Sequence, residues 1–382
     1  MSPASRRDRR PAAPDSGARG TGTGTGECDC TSTGNASVNP APPPLSLLLG
    51  LLCVSAATLL LQATWTRLLS VTLWYHFAFL VVSTALLGFG VSGVLATLWP
   101  ALGRGPLEPR LGRCGAGLAV TLLAGYVAAG RLPFAPFSLL ADGWQLLWTP
   151  LFLLCLAAPF VCAGLAATLL LGRHPAHAGR IYAFDLLGAG LGCFAVVFLL
   201  PLVGGPGCVA VSAALALCGA AAFFQRRSRL CAALAAVALI LAAPLADRWL
   251  PLRISPTKPA GAGQPVGARL ASPENRFSGW NALSRLDVLP ATWGWQILID
   301  AGTAMTRAPR LTAPLASLPP VEDERRLALR PGEDQSVLII GSGGGWDVLA
   351  ALRCGARRVV AVEVNPLINR LVTHELAADL GG

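Results

Sequence analysis

Between Leu45 and Asp247 the chain runs in apolar blocks, each about as long as a bilayer is thick, broken by short stretches of Gly, Pro and Arg. About 20 apolar residues suffice for a helix to cross the hydrocarbon core. The blocks predict seven spans, at 45–64, 72–98, 114–130, 146–172, 181–203, 206–224 and 229–247. The second and fourth exceed the length required, and Pro150 and Pro159 offer breaks in the fourth. Small residues at Gly88, Gly90 and Gly93, and at Gly188-x-x-x-Gly192, predict faces where helices approach closely.

After residue 247 the pattern changes. Pro251–Gly267 reads as a linker. Ser284–Leu289 and Trp293–Ile299 flank Pro290–Thr292, and the second run alternates through Trp293, Trp295, Ile297 and Ile299, which predicts a β-hairpin. Arg307–Pro331, with five prolines and the charged run Glu322–Arg326, reads as a connector. Ser336–Gly345 is a short β-branched run entering a glycine-rich turn. A helical segment from Trp346 to Cys354 follows, then a second apolar run, Arg358–Val364. The expected organisation is a disordered tail (1–44), a transmembrane domain (45–247), a linker (248–283), a hairpin with its connector (284–335) and the start of an α/β domain (336–382).

Composition narrows the class further. The chain is 53% hydrophobic and 13% charged, and residues 45–225 hold only 10 of its 50 charges. That excludes a single soluble globule, a wholly disordered chain and a small disulfide-stapled domain. The net charge of +10 comes from 29 Arg and one Lys, with no basic run interleaved with aromatics, so no nucleic-acid partner is expected. Most of the 11 cysteines sit singly in apolar stretches, and Cys28-x-Cys30 has no second pair at zinc spacing, so no metal is expected.

Arginines bias the orientation. The tail and the loops on its side hold 13, against Arg67 and Arg131 opposite, which places the N-terminus in the cytoplasm. Arg67 falls in the expected tight loop between the first two spans. Trp74-Tyr75-His76 reads as an interfacial anchor, with a pore or ligand role as the alternative. Asp185, near the start of the fifth span, is a functional acid at membrane depth, an acid facing the headgroups, or a partner for Arg180.

The glycine turn carries the candidate chemistry. Glycines there let backbone approach a ligand, the following helix offers unpaired N–H groups, and Glu363 ends the second run at about the spacing used to bind ribose hydroxyls. Trp346 stands where a dinucleotide fingerprint needs its third glycine, which favours a looser nucleoside turn. V-L-I-I-G-S-G-G-G-W-D-V-L (337–349) followed by V-V-A-V-E-V-N-P (359–366) resembles the first motifs of spermidine synthase-like proteins and class I methyltransferases. Asn281–Val288 and Ile297–Asp300 resemble the β-hairpin segment of spermidine synthases. Thr66–Phe79 and Ile181–Gly192 resemble the bacterial integral-membrane branch of that family.

The resemblance implies an incomplete Rossmann-like, class I methyltransferase-type domain behind a polytopic α-helical membrane domain. It implies aminopropyl transfer from decarboxylated S-adenosylmethionine to a polyamine such as putrescine, with lipid bilayer and a small amine as partners. Gly341, Gly343, Gly344 and Gly345 would shape the turn, with Asp347 beside it, and Glu363 would hold the ribose. Gly344 stands where the soluble enzymes carry an Asp, and their main catalytic acid follows a later strand. No catalytic residue is therefore assigned, and the chain is expected to be a fragment without turnover. Two alternatives stay open: an S-adenosylmethionine-dependent methyltransferase, and a membrane transporter or scaffold with a vestigial nucleoside domain. A cytosolic donor implies a cytoplasmic C-terminal domain on a bacterial inner membrane, and the preferred expectation is that one predicted span does not cross. The alternatives are an N-terminus outside, or a C-terminal domain that lies outside and no longer binds its ligand. The oligomeric state is left open.

Overall fold

The computed structural model describes residues 42–138, 141–255, 258, 265–310, 328–329 and 335–380. The tail with Cys28 and Cys30, part of the linker and the run Glu322–Arg326 lie outside them. Six helices are long and apolar enough to cross a membrane. They are α1 (Leu45–Thr72), α2 (Ala78–Leu98), α3 (Leu107–Ala129), α4 (Gln145–Arg173), α5 (Ala178–Phe223) and α6 (Arg226–Ala242), the last extended by a short α7 (Ala246–Trp249). Their apolar faces meet in one core around Leu51, Leu61, Trp65, Leu118, Phe160 and Val209.

Helix α5 is two arms. Gly204 (φ 68°, ψ 179°) interrupts it between Pro201 and Pro206. A Cβ at Gly188 or Gly192 would lie 2.2 or 2.1 Å from the carbonyl oxygens of Leu52 and Ala56. Gly205 lies by Leu68, and Gly219 is back beside Gly50 and Val54. The first arm therefore follows α1, and the second returns along it. Seven apolar arms result, and their order puts the ends of α1, α3, the first α5 arm and α6 at one end of the bundle.

Several local expectations need correction. The first helix runs on to Thr72, and Thr64, Thr66 and Thr72 each bond the carbonyl four residues back, which satisfies their hydroxyls inside an apolar helix. Arg67 is thus helical, not in a loop, and its guanidinium donates to the Ala282 carbonyl (3.0 Å). Helix α4 continues through Pro150 and Pro159. Gly88 packs against Phe160 and the Ala157 carbonyl, whereas Gly90 and Gly93 face open space. Asp185 accepts a hydrogen bond from Ser55 of α1, so its partner is not Arg180.

The C-terminal part rests on the end of α1. Of that helix's last carbonyls, Leu69 accepts from the Leu73 N–H and Thr72 from the Ser255 N–H. Those of Ser70 and Val71 accept from the Lys258 Nζ (3.0 and 2.8 Å), which also donates to the Asp300 carbonyl at 2.6 Å. A buried ammonium thus satisfies groups the helix leaves unpaired, where the helix dipole favours a cation.

After the short α8 (Val266–Leu270) comes a four-stranded antiparallel sheet: β1 (Phe277–Trp280), β2 (Arg285–Ala291), β3 (Gly294–Ile299) and β4 (Ala304–Pro309), in that order. The expected hairpin is its centre, with Ala291 paired to Gly294 across the turn. Strand β1 falls in the expected linker and β4 at the start of the expected connector. Strands β5 (Ser336–Ile340) and β6 (Arg358–Val362) pair in parallel around α9 (Trp346–Arg353), and α10 (Pro366–Arg370) follows. Val337, Ile339 and Val359 pack with Ala350, Ala351 and Cys354. The opposite face, with Leu338, Ile340, Val360 and Val362, is exposed.

Candidate functional site

Strand β5 ends in a turn that doubles back through left-handed backbone at Gly341 (φ 78°), Gly343 (φ 54°) and Gly345 (φ 92°), a region open to glycine at little cost. The Gly341 and Ser342 N–H groups donate to the Val362 carbonyl at 2.7 and 3.2 Å, tying the turn to the end of β6.

Glu363 sits at the junction. Its Oε2 accepts from the Gly343 N–H (2.9 Å) and its Oε1 from the Asn365 N–H (2.8 Å). Each oxygen keeps a free lone pair for a further donor. Asn365 caps α10 through the Leu367 N–H and is held from behind by Asn281 (2.5 Å) and Ser284 (2.9 Å). This buried amide network fixes the loop that carries the carboxylate, and neither β-sheet supplies it alone.

The glycines do different jobs. A side chain at Gly343 would strike Thr306, and one at Gly344 would strike the Arg307 carbonyl at 2.3 Å. Strand β4 lies directly on the turn, and the Thr306 hydroxyl accepts from the Gly344 N–H (2.8 Å). Gly344 is buried under that strand, so it does not reach the cavity. Gly341 and Gly345 face open space, and only their φ demands glycine.

A cavity of about 700 Å³ opens between the turn and β4, and Thr306, Arg307, Ser342, Trp346, Asp347 and Glu363 line it. Gly341 and Gly343 also reach it, while Gly345 stands behind as the cap of α9. Asp347 and Glu363 are the only carboxylates on its wall among the described residues. Arg307 was not foreseen as a site residue. Its guanidinium lies 5.3 Å from the Trp293 ring and 5.2 Å from Trp346, and no carboxylate pairs with it among the described residues. Stacking engages the planar face and leaves the N–H edge available. No group of three His, Cys, Asp or Glu side chains comes together among the described residues.

Fold and site together define a membrane-type helical bundle carrying a small antiparallel sheet and one β-α-β unit with a carboxylate-braced glycine turn. No protein-family model, curated protein or solved structure matches the chain.

Proposed function

We propose that the C-terminal part is of Rossmann type and binds the nucleoside of a sulfonium donor of the S-adenosylmethionine class. The observation that carries this reading is Glu363, whose two oxygens are pinned by backbone N–H groups at the mouth of the glycine turn. A carboxylate held so can accept from both hydroxyls of a ribose without first losing its own orientation.

The motif resemblance extends the reading to aminopropyl transfer. In that reaction an amine lone pair forms a bond to the carbon beside sulfur, the C–S bond breaks with its electrons passing to sulfur, and the amine proton leaves to a base. Glu363 already spans two backbone N–H groups through its two oxygens, which supports donor binding more strongly than turnover. Equilibrium binding of S-adenosylmethionine, its decarboxylated form and 5′-methylthioadenosine to the full chain in detergent tests this. Glu363→Gln should weaken all three by about tenfold, equal to about 1.4 kcal/mol. Absence of binding by any of them sinks the proposal.

Arg307 favours a second reading, that of a methyltransferase. A guanidinium on the wall with no carboxylate partner among the described residues suits the carboxylate of ordinary S-adenosylmethionine and repels the decarboxylated donor, which carries only positive charge. The same titrations with Arg307→Gln separate the two. A preference for the carboxylate-bearing donor that vanishes in the variant supports methyl transfer.

A further inference from the structure

A second cavity, of about 300 Å³, lies away from the glycine turn, where α1 and α3 end and α4 begins. Its walls are Trp65, Leu69, Leu73, Val127, Phe152 and Leu156, and the segment Trp249–Ser255 closes it from above. At about 1.5 Å per residue, Trp65 lies about 10 Å inside the end of α1 and Leu156 about 16 Å inside the start of α4. The slot therefore reaches from the level of the helix ends well into the bundle.

Polar groups along the slot are already engaged. The Tyr126 hydroxyl donates to the Leu250 carbonyl (3.2 Å) and Thr72 to that of Leu68 (2.8 Å). What remains toward the interior is hydrocarbon. At the mouth stand Arg131 and Arg253, both exposed. The Arg253 stem passes over Gly130, its Cβ and Cδ 3.8 Å from where a side chain would begin, which brings it next to Arg131. Neither arginine has a carboxylate partner among the described residues.

We propose that this slot binds one acyl chain of an anionic phospholipid from the surrounding bilayer, with its phosphate held by Arg131 and Arg253. Two features select this occupant. The volume stands at the small end of ligand cavities, about 300–1,000 Å³, and suits one chain rather than a compact polar metabolite. The polarity is graded, with an apolar floor and two guanidiniums at headgroup level, which matches the two ends of an anionic amphiphile. A neutral lipid would leave both cations without a counter-charge.

Native mass spectrometry of the full chain, delipidated and then exposed to phosphatidylglycerol or phosphatidylcholine of equal chain length, tests the proposal. One phosphatidylglycerol should persist, with at least about tenfold preference over phosphatidylcholine. The double variant Arg131→Gln, Arg253→Gln should lose that preference and still retain a chain, because only the mouth has changed. Ala129→Trp should fill the slot and abolish retention of either lipid. An elution profile like that of the unmodified protein shows that each variant is folded. The charge variant keeps the test decisive if the filling variant is not. Equal retention of both lipids, or a preference untouched by the arginine changes, means an unspecific lipid shell and overturns the proposal. Stronger retention of free fatty acid than of phosphatidylglycerol overturns the assignment to a phospholipid.

Discussion

Lys258 joins three carbonyls from two parts of the chain, and it does so from a position with almost no exposure. Lys258→Met keeps the length of the stem and removes every donor. Stability should fall by on the order of 3 kcal/mol, because the Ser70, Val71 and Asp300 carbonyls lose a buried partner. Burial pulls the amine down to about 8 from an ordinary 10.5, with the Asp300 charge opposing. Between those values the unfolded chain holds a proton the folded one has shed, so stability rises with pH across that window and is level below it. Thermal melts in detergent from pH 7 to pH 10 should show the rise, and the Met variant should lack it. None of this is legible beforehand. A lone lysine among prolines reads as a solvated linker residue, and only the chain's return to the end of α1 reveals what it holds. The place of Glu363 beside the turn was legible, since its spacing from Gly341 brings the end of the second strand back to the glycines. Arg307 was not, because it lies on a strand with no apolar alternation to announce it.

At the scale of elements, the seven apolar blocks were readable because hydropathy over a bilayer-length window is a strong signal. Block ends were less so: α1 runs on to Thr72, through polar residues whose hydroxyls bond their own helix and so leave no mark in hydropathy. Strands β1 and β4 escaped for a similar reason. Phe-Ser-Gly-Trp and Ala-Met-Thr-Arg-Ala-Pro gain strand character from neighbours, as β-propensity depends on cross-strand contacts. Glycine runs overstated packing, since an absent side chain matters only where another backbone fills its place. Gly192→Leu should therefore push α1 from the first α5 arm and cost about 2 kcal/mol or more. Gly190→Leu, with nothing within 4 Å, should leave the melting midpoint almost unchanged. Equal losses from the two would contradict the close approach at Ala56.

For the whole molecule, the return at Gly204 decides how many times the chain crosses. Seven arms leave the C-terminal part at the end opposite eight arginines that stand in the loops and helix ends, among them Arg104, Arg113, Arg173 and Arg226. The positive-inside tendency would then draw the arginine-rich end into the cytoplasm, whereas the proposed donor requires the other end there. Reporter fusions after Arg253 separate these. The nucleoside proposal expects a cytoplasmic reporter to be active, and phosphatase activity would favour a membrane scaffold or transporter.

The sole lysine has a practical side as well. In the folded chain a lysine-directed acylating reagent finds no accessible side-chain target, since Lys258 is 1% exposed. Modification at that residue then reports opening of the joint between the bundle and the C-terminal part, a chemical clock written into one position.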